Sequence, residues 1–370
     1  MRIVVAGRLA AAPGQGGAAW AVLQYVHGFA RLGHDVFLLE PAPRDDRVIA
    51  YFAAVTGRHS LVGRAAMLHP DGTATGLGRR QVEQWVAGAD LLINLAGVLT
   101  DRSLMEPMNL RVYVDLDPAF TQLWQVVDGV DMNFAGHDRF VTAGLAVGGP
   151  NCIVPTCGRD WMTTLPPVVL ERWPVATGPT SWDLTTVGNW RSYGSVQYEG
   201  VHHGQKARSM RGLLELPSLV SGIRVEPAMD IDPGERDDIH ALARHGWRVH
   251  RPTEVACDPE RYQAFVQASR AEIGLTKSGY VVSRCGWFSD RSVCYLASGR
   301  PVIAQDTGWT QFLPHGEGLL AFTDATGAAI GVAEIVADYE RHRKAARDVA
   351  EEWFDSDRVL SVLLDRVGAT

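Results

Sequence analysis

The first forty residues are the part of the sequence that most restricts the fold. Residues 3–6 (IVVA) form a continuous apolar run of the kind that is buried in a parallel sheet. A loop rich in Gly, Ala and Pro follows at residues 7–17, and residues 18–32 then carry apolar side chains at helical spacing. Gly33 ends this predicted helix, and residues 35–40 (DVFLLE) return as a second strand. This order of strand, helix and parallel strand predicts a doubly wound α/β domain.

The alternation of strands and helices continues along the chain and starts again after a break. Residues 151–180 contain five prolines and show no sustained periodicity, which is typical of a connection between domains. A chain of 370 residues is long enough for two domains of this kind. We therefore predict a first domain at residues 1–165, a linker at 166–180, a second domain at 181–345 and C-terminal helices at 346–370 that pack back on the first domain.

Composition argues against several classes of protein. A formal charge of −7 and a pI near 5.9 disfavour a protein that coats nucleic acid. The five cysteines are odd in number and lack CxxC spacing, so we expect neither a disulfide framework nor a zinc site. No apolar run reaches the ~18–20 residues of a membrane helix, and the N-terminus lacks the pattern of a signal peptide. We expect a cytoplasmic protein with no membrane span.

Three stretches of the sequence together resemble a known family. They are residues 13–17 (PGQGG) with the later segment GHDV at 33–36, residues 284–292 (RCGWFSDRS), and residues 297–308 (ASGRPVIAQDTG). The last stretch is similar to the A-x-G-x-P-V-I junction between a helix and a strand in GT-B glycosyltransferases of group 1 (family 4-like). The resemblance implies an α/β fold in which two Rossmann-like, doubly wound parallel-sheet domains face each other across a cleft. It also implies metal-independent sugar transfer from a nucleoside-diphosphate sugar, for example a UDP-sugar, without a resident cofactor.

The sequence departs from this family at one functional position. Retaining members usually carry an acidic residue that binds the donor ribose, and the corresponding residue is Cys294. Asp290 lies one helical turn earlier and is the substitute that we consider. The departure leaves the stereochemical outcome open. It also keeps two alternatives to a transferase: a nucleotide-sugar epimerase of the same fold, and a catalytically inactive binding or scaffold protein.

The start of the helix predicted at residues 289–297 is the strongest candidate for donor binding. Ser289 is a good N-cap, and the free N–H groups, hydroxyls and guanidinium of this turn favour a diphosphate. The alternative is a capped structural helix whose preceding aromatic residues belong to the core. From the whole second half we predict a donor site that comprises Gly188, Arg191, Lys206, Gly286, Trp287, Ser289, Asp290, Arg291, Ser292, Asp306, Thr307 and Gly308.

Two parts of this donor site follow from the resemblance. Arg191 and Lys206 resemble the basic pair that neutralises the leaving diphosphate, although either one is equally well explained as a solvated surface charge. The loop from Asp306 to Gly308 corresponds to the family segment that meets the hydroxyls of the donor sugar. An Asx-type turn is the structural alternative for this loop.

The first half is the predicted acceptor side. Gly14, Gly16 and Gly17 allow the backbone to approach a phosphate or sugar closely, or they simply make a flexible connection. Asp117 is our first candidate for a catalytic base and His137 the second, although Asp117 before a proline is also a good helix cap. The predicted acceptor is a small molecule, a saccharide or, less favoured by the acidic charge, a modified nucleobase in DNA.

Overall fold

The structure is a computed structural model that describes residues 1–369. The first half contains one sheet of eight strands: β1 (Arg2–Ala6), β2 (Asp35–Pro41), β3 (Ala65–Leu68), β4 (Ala74–Gly76), β5 (Leu91–Leu95), β6 (Leu110–Asp115), β7 (Arg139–Thr142) and β8 (Trp161–Thr163). Their order is β4-β3-β2-β1-β5-β6-β7-β8, and all neighbours are parallel except β3 and β4. The order runs outward in both directions from β1, which confirms the doubly wound fold.

Helices cover both faces of this sheet. The first helix begins at Gly16, directly after the glycine-rich loop, and its apolar residues at helical spacing are buried against the sheet. The side chain of Asp45 caps the second helix by accepting hydrogen bonds from two backbone N–H groups. The helices of the first half are α1 (Gly16–Arg31), α2 (Asp46–Arg58), α3 (Arg79–Val86), α4 (Arg102–Met105) and α5 (Phe120–Val126).

The second half has a parallel sheet of its own. Its strands are β9 (Trp182–Thr185), β10 (Val187–Asn189), β11 (Val196–Tyr198), β12 (Val201–His203), β13 (Ala228–Asp230), β14 (Ser269–Gly274), β15 (Val302–Gln305) and β16 (Leu319–Phe322). Four strands pair in the order β16-β15-β14-β9, and β10 continues the line of β9 and pairs with β13. Strands β11 and β12 form a separate antiparallel hairpin.

The helices of the second half lie on both faces of its sheet. They are α6 (Lys206–Arg211), α7 (Leu216–Leu219), α8 (Arg236–Arg244), α9 (Pro252–Val255), α10 (Pro259–Ala268), α11 (Ser278–Ser283), α12 (Asp290–Ala297), α13 (Ala325–Ala337) and α14 (Tyr339–Val349), with a 3₁₀ turn at Trp309–Gln311. A π-helical turn at Ala350–Phe354 then leads to α15 (Ser356–Val367), which packs on the first half. None of the helices in residues 1–369 is both long enough and apolar enough to cross a bilayer.

The sequence pattern of the second half also predicts a helix at 207–216 and strands at 222–225 and 246–249. In the structure the helix spans only Lys206–Arg211, and single bridges at Val225 and His250 replace the two strands. Pro227 lies between these bridges and has no N–H group to donate, so a continuous ladder is interrupted there.

The two halves are connected at one place by two adjacent segments. Val168 donates its N–H to the carbonyl of Phe354 at 2.8 Å, and Ser356 donates to the carbonyl of Val168 at 2.9 Å. After this point α15 packs on α1 of the first half, whereas α14 packs on α12 and β16 of the second half. The chain therefore returns to the first half at Ser356.

Candidate functional site

The N-terminus of α1 forms one wall of the cleft between the halves. Gly16 donates its N–H to the carbonyl of Ala256 at 3.0 Å, so the glycine turn touches the second half directly. A Cβ atom on Gly16 would overlap the backbone carbonyl of Asp258, and one on Gly17 would lie 2.9 Å from the ring of Tyr262. The glycines are therefore required for close packing between the halves.

Two cavities lie along this cleft, and one residue lines both. The larger has a volume of about 170 Å³ and the smaller about 80 Å³. Asp290, the first residue of α12, is the only residue common to the two linings. The larger cavity is lined by Gly14, Gln15, Gly16, Gly17, Ala18, Val187, Gly188, Asn189, Pro252, Ala256, Tyr262, Asp290 and Arg291, and the smaller by Ala21, Gln24, Tyr25, Leu116, Ala143, Pro166, Pro167, Trp287, Phe288 and Asp290.

Asp290 presents an acidic group to both cavities. Its side chain is exposed at the cavity surface, and desolvation by the surrounding protein raises the pKa of the carboxyl group. Arg291 next to it partly offsets the effect. The position is suited to accept hydrogen bonds from hydroxyl groups of a ligand that spans the two cavities.

Lys206 lies next to Gly188, which lines the larger cavity. It is 9% exposed, and its Nζ occupies the space that a Cβ on Gly188 would need. Its side chain forms no hydrogen bond or ion pair with any of residues 1–369. Burial lowers the pKa of Lys206 well below its usual range, and the charges of Arg291 and Lys277 lower it further. An anion at this position would compensate the buried amine.

Several buried polar atoms near Lys206 also lack partners within the described part of the chain. They include the hydroxyls of Thr276 and Ser278, which follow β14, and the hydroxyl of Thr186, which separates β9 from β10. Ser278 packs directly against Gly204, two residues before Lys206. Since buried hydroxyls are normally hydrogen-bonded, these atoms point to a polar ligand at the carboxyl edge of the second sheet.

Arg291 lines the larger cavity, but its guanidinium is already bound by other groups of the protein. Its Nε pairs with the fully buried carboxylate of Glu272, and its other nitrogens donate to the carbonyls of Val187 at 3.1 Å and Leu275 at 3.3 Å. With these partners in place, the guanidinium holds β10, β14 and α12 together. We predicted that Arg291 contacts a diphosphate; in the structure its charge is balanced by Glu272.

The remaining residues around the start of α12 lie between the halves. Ser289 caps α12 by accepting a hydrogen bond from the N–H of Arg291 at 3.2 Å, as predicted, and Ser292 is buried in the same turn. Gly286 has a φ of +73° and its carbonyl accepts from the N–H of Leu145 of the first half at 3.4 Å. Trp287 forms an isolated antiparallel β-bridge with Gly144 of the first half and lines the smaller cavity.

Among the predicted donor contacts that lie outside both cavity linings, Arg191 and Asp306 already bind groups of the protein. Arg191 forms an ion pair with Glu235 and is exposed to solvent. Asp306 makes the Asx-type turn that was the structural alternative, because its carboxylate accepts from the N–H of Gly308 at 2.8 Å and from the hydroxyl of Thr310 at 3.2 Å. The hydroxyl of Thr307 donates to the carbonyl of Trp287 at 2.7 Å, which fixes this turn to the cleft loop.

Asp117 belongs to a cluster that joins the halves. Lys277 Nζ of the second half lies 2.8 Å from Asp117 Oδ2, and the hydroxyls of Tyr193 and Tyr280 donate to the same carboxylate. We name these four residues the Asp117 cluster. The three partners of Asp117 were not predicted from the sequence. Lys277 stands out in hindsight, since it directly follows a buried strand and the whole chain contains three lysines.

His137 and Cys294 lie apart from the cavities. His137 packs against Tyr113, and its Nε2 lies 3.0 Å from Asn94 Nδ2 within the first half. Burial lowers the pKa of His137 to about 4, so the imidazole is neutral at pH 7. Cys294 is buried and lies 3.9 Å from Gln24 Nε2 of α1. In this packed position it has no access to a ribose. No group of three or more His, Cys, Asp or Glu side chains in residues 1–369 is arranged for a metal ion.

The architecture defined by these observations is that of the GT-B class: two Rossmann-like halves with a cleft between them. Solved structures of that class superpose over the entire chain. An alpha-glucosyltransferase in complex with UDP and DNA containing an HMU base has a TM-score of 0.66 at 11% identity, with 100% of this chain and 99% of the other covered. Anabaena HepE in complex with UDP and glucose has a TM-score of 0.64 at 13% identity, with 100% of both chains covered. No family model and no curated protein matches the sequence. The chain has the GT-B fold.

Proposed function

We propose that this protein is a glycosyltransferase that moves a sugar from a nucleoside-diphosphate sugar to a hydroxyl-bearing acceptor. The observation that carries the proposal is Lys206, a buried amine without a partner that lies beside Gly188 at the larger cavity. An amine in this environment favours an anion, and a departing diphosphate is the anion that sugar transfer produces. Both neighbouring structures, an alpha-glucosyltransferase and HepE, contain UDP, which supports a uridine nucleotide as donor.

The donor and acceptor take different walls of the cleft in this proposal. The diphosphate lies near Lys206 and the unpartnered hydroxyls of Thr276 and Ser278, and the sugar lies near Asp290. Glycosyl transfer then needs no resident cofactor, because the donor is itself the co-substrate. Packing of α1 against the second half excludes water, so that an acceptor competes with hydrolysis of the donor.

The smaller cavity indicates the class of acceptor. Its walls are mostly apolar, with Leu116, Pro166, Pro167 and Trp287 on several sides. We propose a small molecule with an apolar or aromatic body that stacks on Trp287 and presents a hydroxyl toward Asp290. One neighbouring structure holds DNA. The net charge of −7 disfavours that acceptor here.

A binding assay tests the donor assignment. We expect UDP to raise the melting temperature and Lys206→Met to weaken UDP binding by about tenfold to a hundredfold, because a charge-assisted contact is lost. Lys344→Met, at an exposed position of α14, is the matched control and should bind UDP like the wild type. Identical UDP affinities for Lys206→Met and the wild type, measured by calorimetry, would refute the role of Lys206. Product analysis with UDP-glucose and mixed acceptors then separates a transferase from an epimerase, which needs no acceptor.

A further inference from the structure

The carboxylate of Asp117 accepts three hydrogen bonds, two of them on Oδ2. Oδ1 accepts from the hydroxyl of Tyr280, and Oδ2 accepts from the hydroxyl of Tyr193 and from Lys277 Nζ at 2.8 Å. The side chains of Asp117 and Lys277 are 26% and 15% exposed. With two donors on Oδ2, both lone pairs of this oxygen are occupied, so Oδ2 is not available to the proton of an acceptor.

Lys277 also belongs to the donor side of the cleft. It lies between Thr276 and Ser278, whose buried hydroxyls have no partners in residues 1–369. It directly precedes α11, which lies against the segment before α6 because Gly279 donates its N–H to the carbonyl of Gly204 at 2.9 Å, and the charge of Lys277 contributes to the lowered pKa of Lys206. Two amines that repel each other, with unpartnered hydroxyls beside them, define a place where an anion would be stabilised.

The surroundings of Lys277 allow it to turn between two partners. Its Nζ lies 4.2 Å from the ring centre of Tyr193 and 5.1 Å from those of Phe120 and Tyr280. These aromatic faces stabilise the ammonium group without fixing the directions of its N–H bonds. A lysine is a point charge on a flexible stem, so it can change partners by rotation of its side chain.

We propose that Lys277 exchanges Asp117 for the diphosphate of the donor when the donor binds. This inference rests on the proposed function and deepens it. A diphosphate carries more negative charge than one carboxylate and is the stronger partner. Its binding leaves Asp117 with only the two tyrosine hydroxyls, and Oδ2 becomes available to a proton of the acceptor. The acceptor side is thus completed only after the donor has bound, which limits contact between an activated acceptor and an empty donor site.

A double-mutant cycle on UDP affinity tests the exchange. Asp117 competes with UDP for Lys277, so Asp117→Asn should tighten UDP binding by about tenfold. Lys277→Met should weaken binding, and adding Asp117→Asn to Lys277→Met should change nothing further. A purely structural role of the Asp117 cluster gives the opposite or no effect, because disrupting a packed contact does not improve a ligand site.

Glu260→Gln is the matched control for general loosening of the cleft. It removes the ion pair between Glu260 and Arg58, which also joins the halves at 2.9 Å but is exposed and distant from Lys277. We expect its UDP affinity to equal that of the wild type. Tightening by Glu260→Gln as large as that by Asp117→Asn would overturn the exchange, as would UDP binding that Asp117→Asn leaves unchanged. Absence of UDP binding in all the variants and the wild type would instead overturn the proposed function, and the exchange with it.

Discussion

Lys206 is a buried amine that lies among other positive charges. Burial removes most of the water that would stabilise its ammonium form, and Arg291 and Lys277 add repulsion. Both effects lower the pKa of the amine in the free protein. A bound diphosphate supplies the opposite charge and raises the pKa again. Ligand binding and protonation at Lys206 are therefore linked.

This linkage predicts that UDP binding takes up protons. The pKa of Lys206 is lower in the free protein than in the complex, so the complex holds more protons at any pH between the two values. UDP affinity should fall as the pH rises through this range, by at most about tenfold per pH unit for one proton. Calorimetry in buffers of different ionisation enthalpy measures the uptake directly. Lys206→Met should abolish it, and an uptake that persists in this variant would assign the proton to another group.

At the scale of the elements, the contact of α1 with α10 determines how closely the halves approach. Trp20 of α1 donates its indole N–H to the carbonyl of Pro259, the first residue of α10, at 2.8 Å. Gly16 and Gly17 remove the side chains that would keep the two helices apart. The sequence motif that resembles a phosphate-binding loop is thus also a packing surface between the halves.

Gly16→Ala should separate these elements. Its Cβ would overlap the carbonyl of Asp258 and lie 2.9 Å from that of Ala256, so we expect a loss of about 1–3 kcal/mol of unfolding free energy from overpacking. Gly57→Ala is the control, since Gly57 lies in α2 with no atom within 4 Å of the added methyl group. That change should be neutral or stabilise by about 0.5–1 kcal/mol. Urea unfolding compares the two, and equal effects would contradict the packing role of Gly16.

Local patterns in the sequence predict many of the helices and strands, but they do not predict the side-chain contacts between distant elements. The β1-α1-β2 unit and the cap of α12 at Ser289 follow from periodicity and capping over a few residues, and both are present. The ion pair of Asp117 with Lys277 joins residues 160 positions apart in opposite halves. No local pattern encodes such a contact, because it depends on how two separately folded sheets face each other. The pair of Arg291 with Glu272 is not encoded locally either, because it depends on how α12 packs against β14.

At the scale of the whole molecule, the cleft is closed. Contacts between the halves occur at Gly16, at Gly286 and at the Asp117 cluster. The cavities of about 170 Å³ and 80 Å³ are smaller than the roughly 300–1,000 Å³ of typical ligand pockets. On the proposed function, a nucleotide sugar therefore enters only after the halves move apart.

Opening before binding gives a kinetic signature. We expect the observed rate of UDP binding to reach a plateau as the UDP concentration rises, because the opening step becomes rate-limiting. Stopped-flow fluorescence follows the reaction through Trp287, which lines the smaller cavity, and Trp287→Phe verifies the origin of the signal. A rate that increases linearly to the highest UDP concentration would show that the free cleft is already open.

The paired crossing at Val168 has a mechanical consequence. The outgoing and returning segments are hydrogen-bonded side by side, through Phe354 and Ser356, so they form a short two-stranded ribbon. In topological terms, we propose that the second half is an insertion into the first, whose strands and α15 then make one folding unit of residues 1–167 and 356–369. Because both connections cross beside Val168, we expect the halves to open by rotating about this attachment, so that Lys277 and Asp117 meet again when the cleft closes.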